Sequence, residues 1–273
     1  MIQAEEVIRA ANLQEIFPLE RLEGHERDKY TAHEVWGYGG YVLRIHPQGD
    51  LLADENRVLR LLPTSIPHAA VVAAGDGWLV QRRVPGEALS AVWKTLSEQK
   101  RRAAAQQLAA ILINLHQMRV SGMPSLSPGW FAAILPSDIF KLSMQARDHD
   151  APLMDAINQF VRRTMAEVKP PLRWGFVHRD LHFAHVLWNG ERITALLDFG
   201  STVLAPRELE LDALLRFVRY PELNSDLQPH DLDRFPGWLR EDYPLLFSEP
   251  GVEQRLKLYS IEHDLRQLVA EPN

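Results

Sequence analysis

Two apolar runs in the second half of this chain each end on an aspartate. They are Gly175-Phe176-Val177-His178-Arg179-Asp180 and Ile193-Thr194-Ala195-Leu196-Leu197-Asp198. Between the aspartates, Val186–Trp188 and Ile193–Leu197 read as short strands joined by Asn189-Gly190-Glu191-Arg192, and Asn-Gly is among the strongest short hairpin signals. A loop, strand, turn and strand of this length folds back on itself, so His185 and Asp198 can face one volume with Asp180. That arrangement suits phosphoryl transfer. One carboxylate orients an acceptor hydroxyl and takes its proton, while two ligands from the hairpin hold Mg²⁺ on the nucleotide phosphates.

The rest of the chain divides by pattern. The first part reads as a helix (Ile2–Leu13) and then a strand-rich unit. Tyr30–Val35 and Tyr41–Ile45 are strand-like, with Trp36-Gly37-Tyr38-Gly39-Gly40 as the turn. Leu51–Leu62 reads as a helix because Glu55, Val58, Leu59 and Leu62 fall on one face. Val71–Ala73 and Trp78–Gln81 flank Gly75-Asp76-Gly77, another hairpin signal, and Val84-Pro85-Gly86 then punctuates the chain. The expected division is therefore 1–84 and 85–273. Beyond it, Thr95-Leu-Ser-Glu98 has the form of a capping box opening a helix to about Met118. Residues 120–137, with three prolines and two glycines, read as loop. Helices are expected over Met154–Val168, Glu208–Tyr220 and Val252–Val269, and a third short strand over Gly175–Val177.

Composition excludes several chemistries. With no cysteine there is no disulfide, thiol nucleophile or Cys-ligated metal. The net charge of −6 lies in residues 205–273, which hold 14 acids against 8 bases, while residues 1–204 hold 22 of each. A neutral body argues against a nucleic-acid partner. The acidic region would suit a cationic small molecule or serve as a solvated surface. The longest apolar runs, Ala69–Ala74 and Leu108–Ile113, fall far short of the ~18 residues of a membrane helix. The N-terminus lacks the basic, apolar look of a signal peptide, so a cytoplasmic location without membrane association is expected.

The wording around the aspartates resembles the protein-kinase-like superfamily, and more closely its aminoglycoside phosphotransferase/choline kinase branch. His178-Arg179-Asp180-Leu181-His182 is similar to that branch's His-Gly-Asp-Leu-His loop, and Asp198-Phe199-Gly200 to its metal motif. The resemblance implies an α+β, bilobal protein-kinase-like fold with a small β-rich N-lobe and a larger, mainly helical C-lobe. It implies Asp180 as the catalytic aspartate and Asp198 as the principal Mg²⁺ ligand. His185 stands where the branch normally has Asn, as in macrolide phosphotransferases, and as a softer ligand it admits Mn²⁺ as well. His178 and His182 are expected to brace the loop. Tyr41–Ile45 resembles the strand that delivers a phosphate-binding base, here Arg44, and Glu55 on the buried helix face is its expected partner. Leu79–Gly86 resembles the hinge, with Arg82, Arg83 and Val84 near the adenine of ATP or GTP. Leu22–Tyr30 would be the phosphate-covering loop, with a single glycine.

After Asp198 the chain reaches Ala205-Pro206-Arg207-Glu208 too soon to build a peptide platform, so a small-molecule alcohol is the expected acceptor. Glu210 or Asp212 is the candidate acceptor-site acid, and Trp130 or Trp174 a candidate pocket wall. Two other readings compete. One is a nucleotide-holding pseudokinase with a regulatory role, suggested by His185, Arg44 and the glycine-poor loop. The other is a hydrolase metal cluster of His178, Asp180, His182 and His185, which lacks a second His-rich motif. The acceptor, the nucleotide base and the oligomeric state stay open at the level of sequence.

Overall fold

The computed structural model describes residues 3–13, 17–22, 34–46, 49–223 and 225–270. Its N-terminal part comprises helix α1 (Ala4–Ala10), strands β1 (Leu19–Arg21), β2 (Glu34–Tyr38) and β3 (Tyr41–Ile45), helix α2 (Gly49–Leu61), and strands β4 (Val71–Gly75) and β5 (Trp78–Arg82). The five strands form one antiparallel sheet in the order β1-β2-β3-β5-β4. The turn between β2 and β3 is tighter than the sequence suggests. Trp36, Gly37 and Tyr38 continue β2, Tyr38 pairs with Tyr41, and only Gly39-Gly40 turns. Gly39 takes φ +55°, a conformation that favours glycine. Of the expected strand Tyr30–Val35, the first four residues lie outside the described residues, as does nearly all of the expected phosphate-covering loop.

The remainder holds strand β6 (Glu87–Ala88), helices α3 (Leu89–Val92), α4 (Glu98–Gln117), α5 (Leu135–Gln145) and α6 (Ala151–Glu167), and strands β7 (Trp174–Val177), β8 (Val186–Trp188), β9 (Ile193–Leu196) and β10 (Val203–Pro206). Helices α7 (Glu210–Arg219), α8 (Phe235–Asp242) and α9 (Val252–Ala270) complete it. The architecture is thus a β-sheet N-terminal region and a helical C-terminal region, the bilobal protein-kinase-like fold. Helix α4 runs through the C-terminal core, with Leu108, Leu112 and Leu115 fully buried. It starts at Ser97, whose hydroxyl accepts the Lys100 amide, and not at Thr95, whose hydroxyl bonds back to the Val92 carbonyl. The expected Thr95–Glu98 capping box is therefore not formed. Within the stretch read as loop, Trp130–Ile134 is a wide helical turn that leads into α5.

Strand β7 packs directly on α4. A Cβ at Gly175 would lie 2.4 Å from the His116 carbonyl oxygen, so only glycine allows this approach. Strand β10 pairs with β7, and β6-β8-β9 form a separate sheet. Pairing with these neighbours fixes the direction in which the loop after β7 and the turn after β9 leave their strands. Among the described residues, no helix is long and apolar enough to cross a membrane.

Candidate active site

The loop after β7 is held from below. His178 is fully buried; its backbone N–H donates to Glu210 Oε2 at 2.7 Å, and its Nε2 donates to the Leu197 carbonyl at 2.8 Å. One imidazole thus ties the Asp180 loop to the residue preceding Asp198. Glu210 is itself fully buried and receives His116 Nε2 at 3.4 Å, while His116 Nδ1 meets the Tyr243 hydroxyl at 3.0 Å. This corrects the assignment of Glu210 to an acceptor face: the side chain is fully buried, and its Oε2 is spent on the loop's backbone and on His116.

Beyond His178 the backbone turns sharply. Arg179 takes φ +69° and Asp198 φ +59°, both in the left-handed region that side-chain-bearing residues seldom adopt. The outcome is that the Asp180 and Asp198 carboxylates stay accessible, at 52% and 33%. His185 Nδ1 donates to the Asp180 carbonyl at 2.8 Å and lies 3.8 Å from its Oδ2. The His185 carbonyl in turn accepts the Leu197 amide at 2.8 Å, clasping the loop to the end of β9. Asp180, His182 and His185 each place a ligand atom within 4.8 Å of the others. His182, expected only to brace the loop, is therefore part of that group. His178 and Asp198 are outside it.

Asp198 faces the N-terminal sheet instead, with Oδ2 3.8 Å from Arg44 Nη2. Arg44 Nη1 donates to both oxygens of Glu55, at 2.5 and 2.6 Å, and Glu55 Oε1 also accepts the Phe199 amide at 3.3 Å. The buried Glu55 carboxylate thus joins β3, α2 and the turn carrying Asp198. Burial pushes this carboxyl up from its ordinary range and the Asp198 charge adds to that, against the pull of Arg44 and the Phe199 amide. Burial works against the Arg44 cation as well, but the two carboxylates beside it hold its proton more firmly than usual.

After β5, the Arg82 and Arg83 amides are committed to the Ala70 and Gly40 carbonyls, each at 2.8 Å. Their side chains point to surface partners: Arg82 lies over the Tyr41 ring, and Arg83 is 3.7 Å from Glu20. Of the three hinge residues, the Val84 amide is the one with no acceptor among the described residues.

A small cavity of about 40 Å³ is lined by Arg179, the residue before Asp180, and by Trp130, Asp212, Tyr259, Glu262 and His263, among others. Of the candidate acceptor residues, Asp212 and Trp130 line this cavity; Trp174 pairs in β7 opposite Pro206 and does not. Asp212 accepts from Ser260 Oγ at 2.7 Å and from Arg216, and Glu262 is paired with Arg266. The two acids at this wall are thus each paired with an arginine, while the acid surplus of residues 205–273 lies elsewhere in that region.

Comparisons place this geometry. The chain matches the APH phosphotransferase enzyme family over residues 20–243. Among solved structures, a streptomycin–ATP–APH(2″)-IIa ternary complex is similar at a TM-score of 0.73 and 15% identity, over 99% of this chain and 93% of that one. A GDP complex of aminoglycoside 2′-phosphotransferase-IIIa gives 0.67 at 18%, over 96% and 87%. An aminoglycoside-3′-phosphotransferase of type VIII gives 0.65 at 20%, over 96% and 98%. No curated protein matches the chain.

Proposed function

The chain belongs to the phosphotransferase enzyme family, and from that premise we propose that it moves the γ-phosphoryl group of ATP or GTP to a hydroxyl of a small molecule. The observation that carries this reading is the Glu55 carboxylate, which gathers Arg44 and the Asp198 turn to one point across the two halves of the chain. In this proposal residues 1–84 bind the nucleotide and residues 85–273 supply the catalytic loop and the acceptor wall. The similar structures with ATP and with GDP support a nucleotide co-substrate without choosing its base.

Asp180 accepts the proton of the incoming hydroxyl. Its carboxylate is accessible, and the bond from His185 to its carbonyl fixes its backbone. Arg44, oriented by Glu55, presents the rest of its guanidinium to phosphate oxygens; its fixed fork keeps charge and geometry together. The Val84 amide is the donor offered to the base. Asp198 and His185 would hold Mg²⁺ or Mn²⁺: the carboxylate already lies toward the phosphate-side cation Arg44, and His185 has Nε2 left for ligation once Nδ1 is bonded. When bound, the ion supplies charge neutralisation at the phosphates. The protein's own share is placement and electrostatics. Arg216 and Arg266 offset the carboxylates of the acceptor wall, so nothing there demands a cationic acceptor. A cytoplasmic location accords with such a substrate.

A mass-spectrometric screen of hydroxylated metabolites and antibiotics with Mg²⁺ and ATP or GTP tests the proposal. A compound gaining one phosphoryl group with the wild type, and not with Asp180→Asn, is the expected result. Tight Mg²⁺–nucleotide binding with Asp180→Asn and wild type equally inert on every compound would favour the nucleotide-holding module instead.

A further inference from the structure

The loop after β7 contains a donor set that the transfer reading does not use as a unit. Asp180, His182 and His185 each bring one ligand atom within 4.8 Å of the other two. The rings of His182 and His185 lie 3.9 Å apart, inclined by 35°. Donation from His185 Nδ1 to the Asp180 carbonyl fixes its tautomer and leaves the Nε2 lone pair free to ligate. Metal-binding histidines are oriented by such an outer hydrogen bond. On His182, Nδ1 is buried while the ring as a whole is only partly so. The half-exposed Asp180 carboxylate completes a set of two imidazoles and one carboxylate. That set is the donor chemistry of zinc sites with an open fourth position. It is a poor match for Mg²⁺, which favours an octahedral shell of oxygens.

We propose that Asp180, His182 and His185 form a site for Zn²⁺ or a similar soft divalent ion, exclusive with the use of His185 beside Asp198. Four-coordinate zinc at bond lengths of about 2.0–2.2 Å asks its ligand atoms to close to roughly 3.3 Å. Rotation of the exposed Asp180 side chain together with small turns of the two imidazoles supplies the movement. An ion held there draws the Asp180 carboxylate away from an incoming hydroxyl and keeps the enzyme idle. That consequence rests on the transfer reading; the binding itself does not.

The test uses the full metal-free chain and Co²⁺ alone, followed by displacement with Zn²⁺. One equivalent of cobalt with the visible spectrum of a four-coordinate ion is expected. His182→Gln and Asp180→Asn should each weaken binding by more than the roughly 10–100-fold that loss of an outer-shell partner costs. His230→Gln, which alters an exposed histidine on another turn, should leave it unchanged. The proposal is overturned if the spectrum stays that of the hydrated ion, or if Asp180→Asn, an exposed change that spares the fold, binds cobalt as the wild type does. A parallel thermal shift with Mg²⁺ and ATP reports on the transfer reading separately. Its absence beside an intact cobalt site would sink that reading and leave the metal site standing.

Discussion

Two arginines are held against buried carboxylates, one in each half of the chain, and they are finished differently. Arg255, with no exposed surface, donates from Nε to Glu208 at 2.6 Å and from Nη2 to Glu249 at 3.3 Å. Its Nη1 reaches the Lys169 and Pro250 carbonyls at 2.9 and 2.7 Å. Tyr259 adds its hydroxyl to the same Glu208 oxygen. Burial pushes the Glu208 carboxyl up, Arg255 pulls it back, and burial holds the Tyr259 hydroxyl well above its ordinary range. Every nitrogen of Arg255 is used. Arg44 spends only Nη1 on Glu55, and its Nη2 stands 3.8 Å from Asp198, beyond a hydrogen bond. A saturated buried cation fastens a fold. One with donors to spare, held near a second carboxylate, has capacity for a ligand.

The largest effect is expected where the open site does its chemistry. Asp180→Asn should lower phosphoryl transfer by about 10²–10⁴-fold, the usual share of a general base, while equilibrium titration shows nucleotide affinity kept. Arg255→Ala should come next. It strands Glu208 and Glu249 in the core and should cost about 3–5 kcal/mol in chemical denaturation, with nucleotide affinity per folded molecule unchanged. Arg44→Lys should do the reverse. Loss of the fork gives up a charged hydrogen bond to phosphate worth about 1.5–3 kcal/mol, read as a weaker Kd for ATP, while the melting temperature moves little. Equal losses of stability from the Arg44 and Arg255 substitutions would erase the distinction.

Much of this was written in local pattern and some was not. The strand Tyr41–Ile45 and the buried face of α2 are legible because their periods are regular, and the Arg44–Glu55 pair follows from the cost of burying Glu55 alone. The hairpin β8–β9 announces itself through Asn189-Gly190, where Asn189 Oδ1 accepts the Glu191 and Arg192 amides. Helix α5 was hidden because Pro136 and the preceding glycines read as breakers, although proline is at home in a first turn. Strands β1, β6 and β10 are too short to show a period; pairing with distant partners makes them strands. Glu210 could not be placed, because a side chain caught by a backbone amide 32 positions away leaves no periodic trace. The same holds for His182, whose neighbours are set by the fold of its loop.

The smallest expected effect lies at the wall of the small cavity lined by His263. Burial and the nearby Arg216 hold His263 below its ordinary value of 6.5, against the pull of Asp212, Asp264 and Glu262. The unfolded chain therefore takes up this proton first as pH falls. The stability linked to His263 is present above about 6.5 and lost as pH drops through the lowered folded value. His263→Gln should flatten that part of a stability–pH curve, leaving the Arg255 cluster's behaviour untouched.

The most direct measurement is a crystal structure of the chain with Mg²⁺ and a non-hydrolysable ATP analogue. Arg44 is expected on phosphate oxygens, the ion between Asp198 and His185, and Asp180 facing the γ-phosphate. A nucleotide bound elsewhere, or phosphates that leave Arg44 and Asp198 untouched, would contradict that placement.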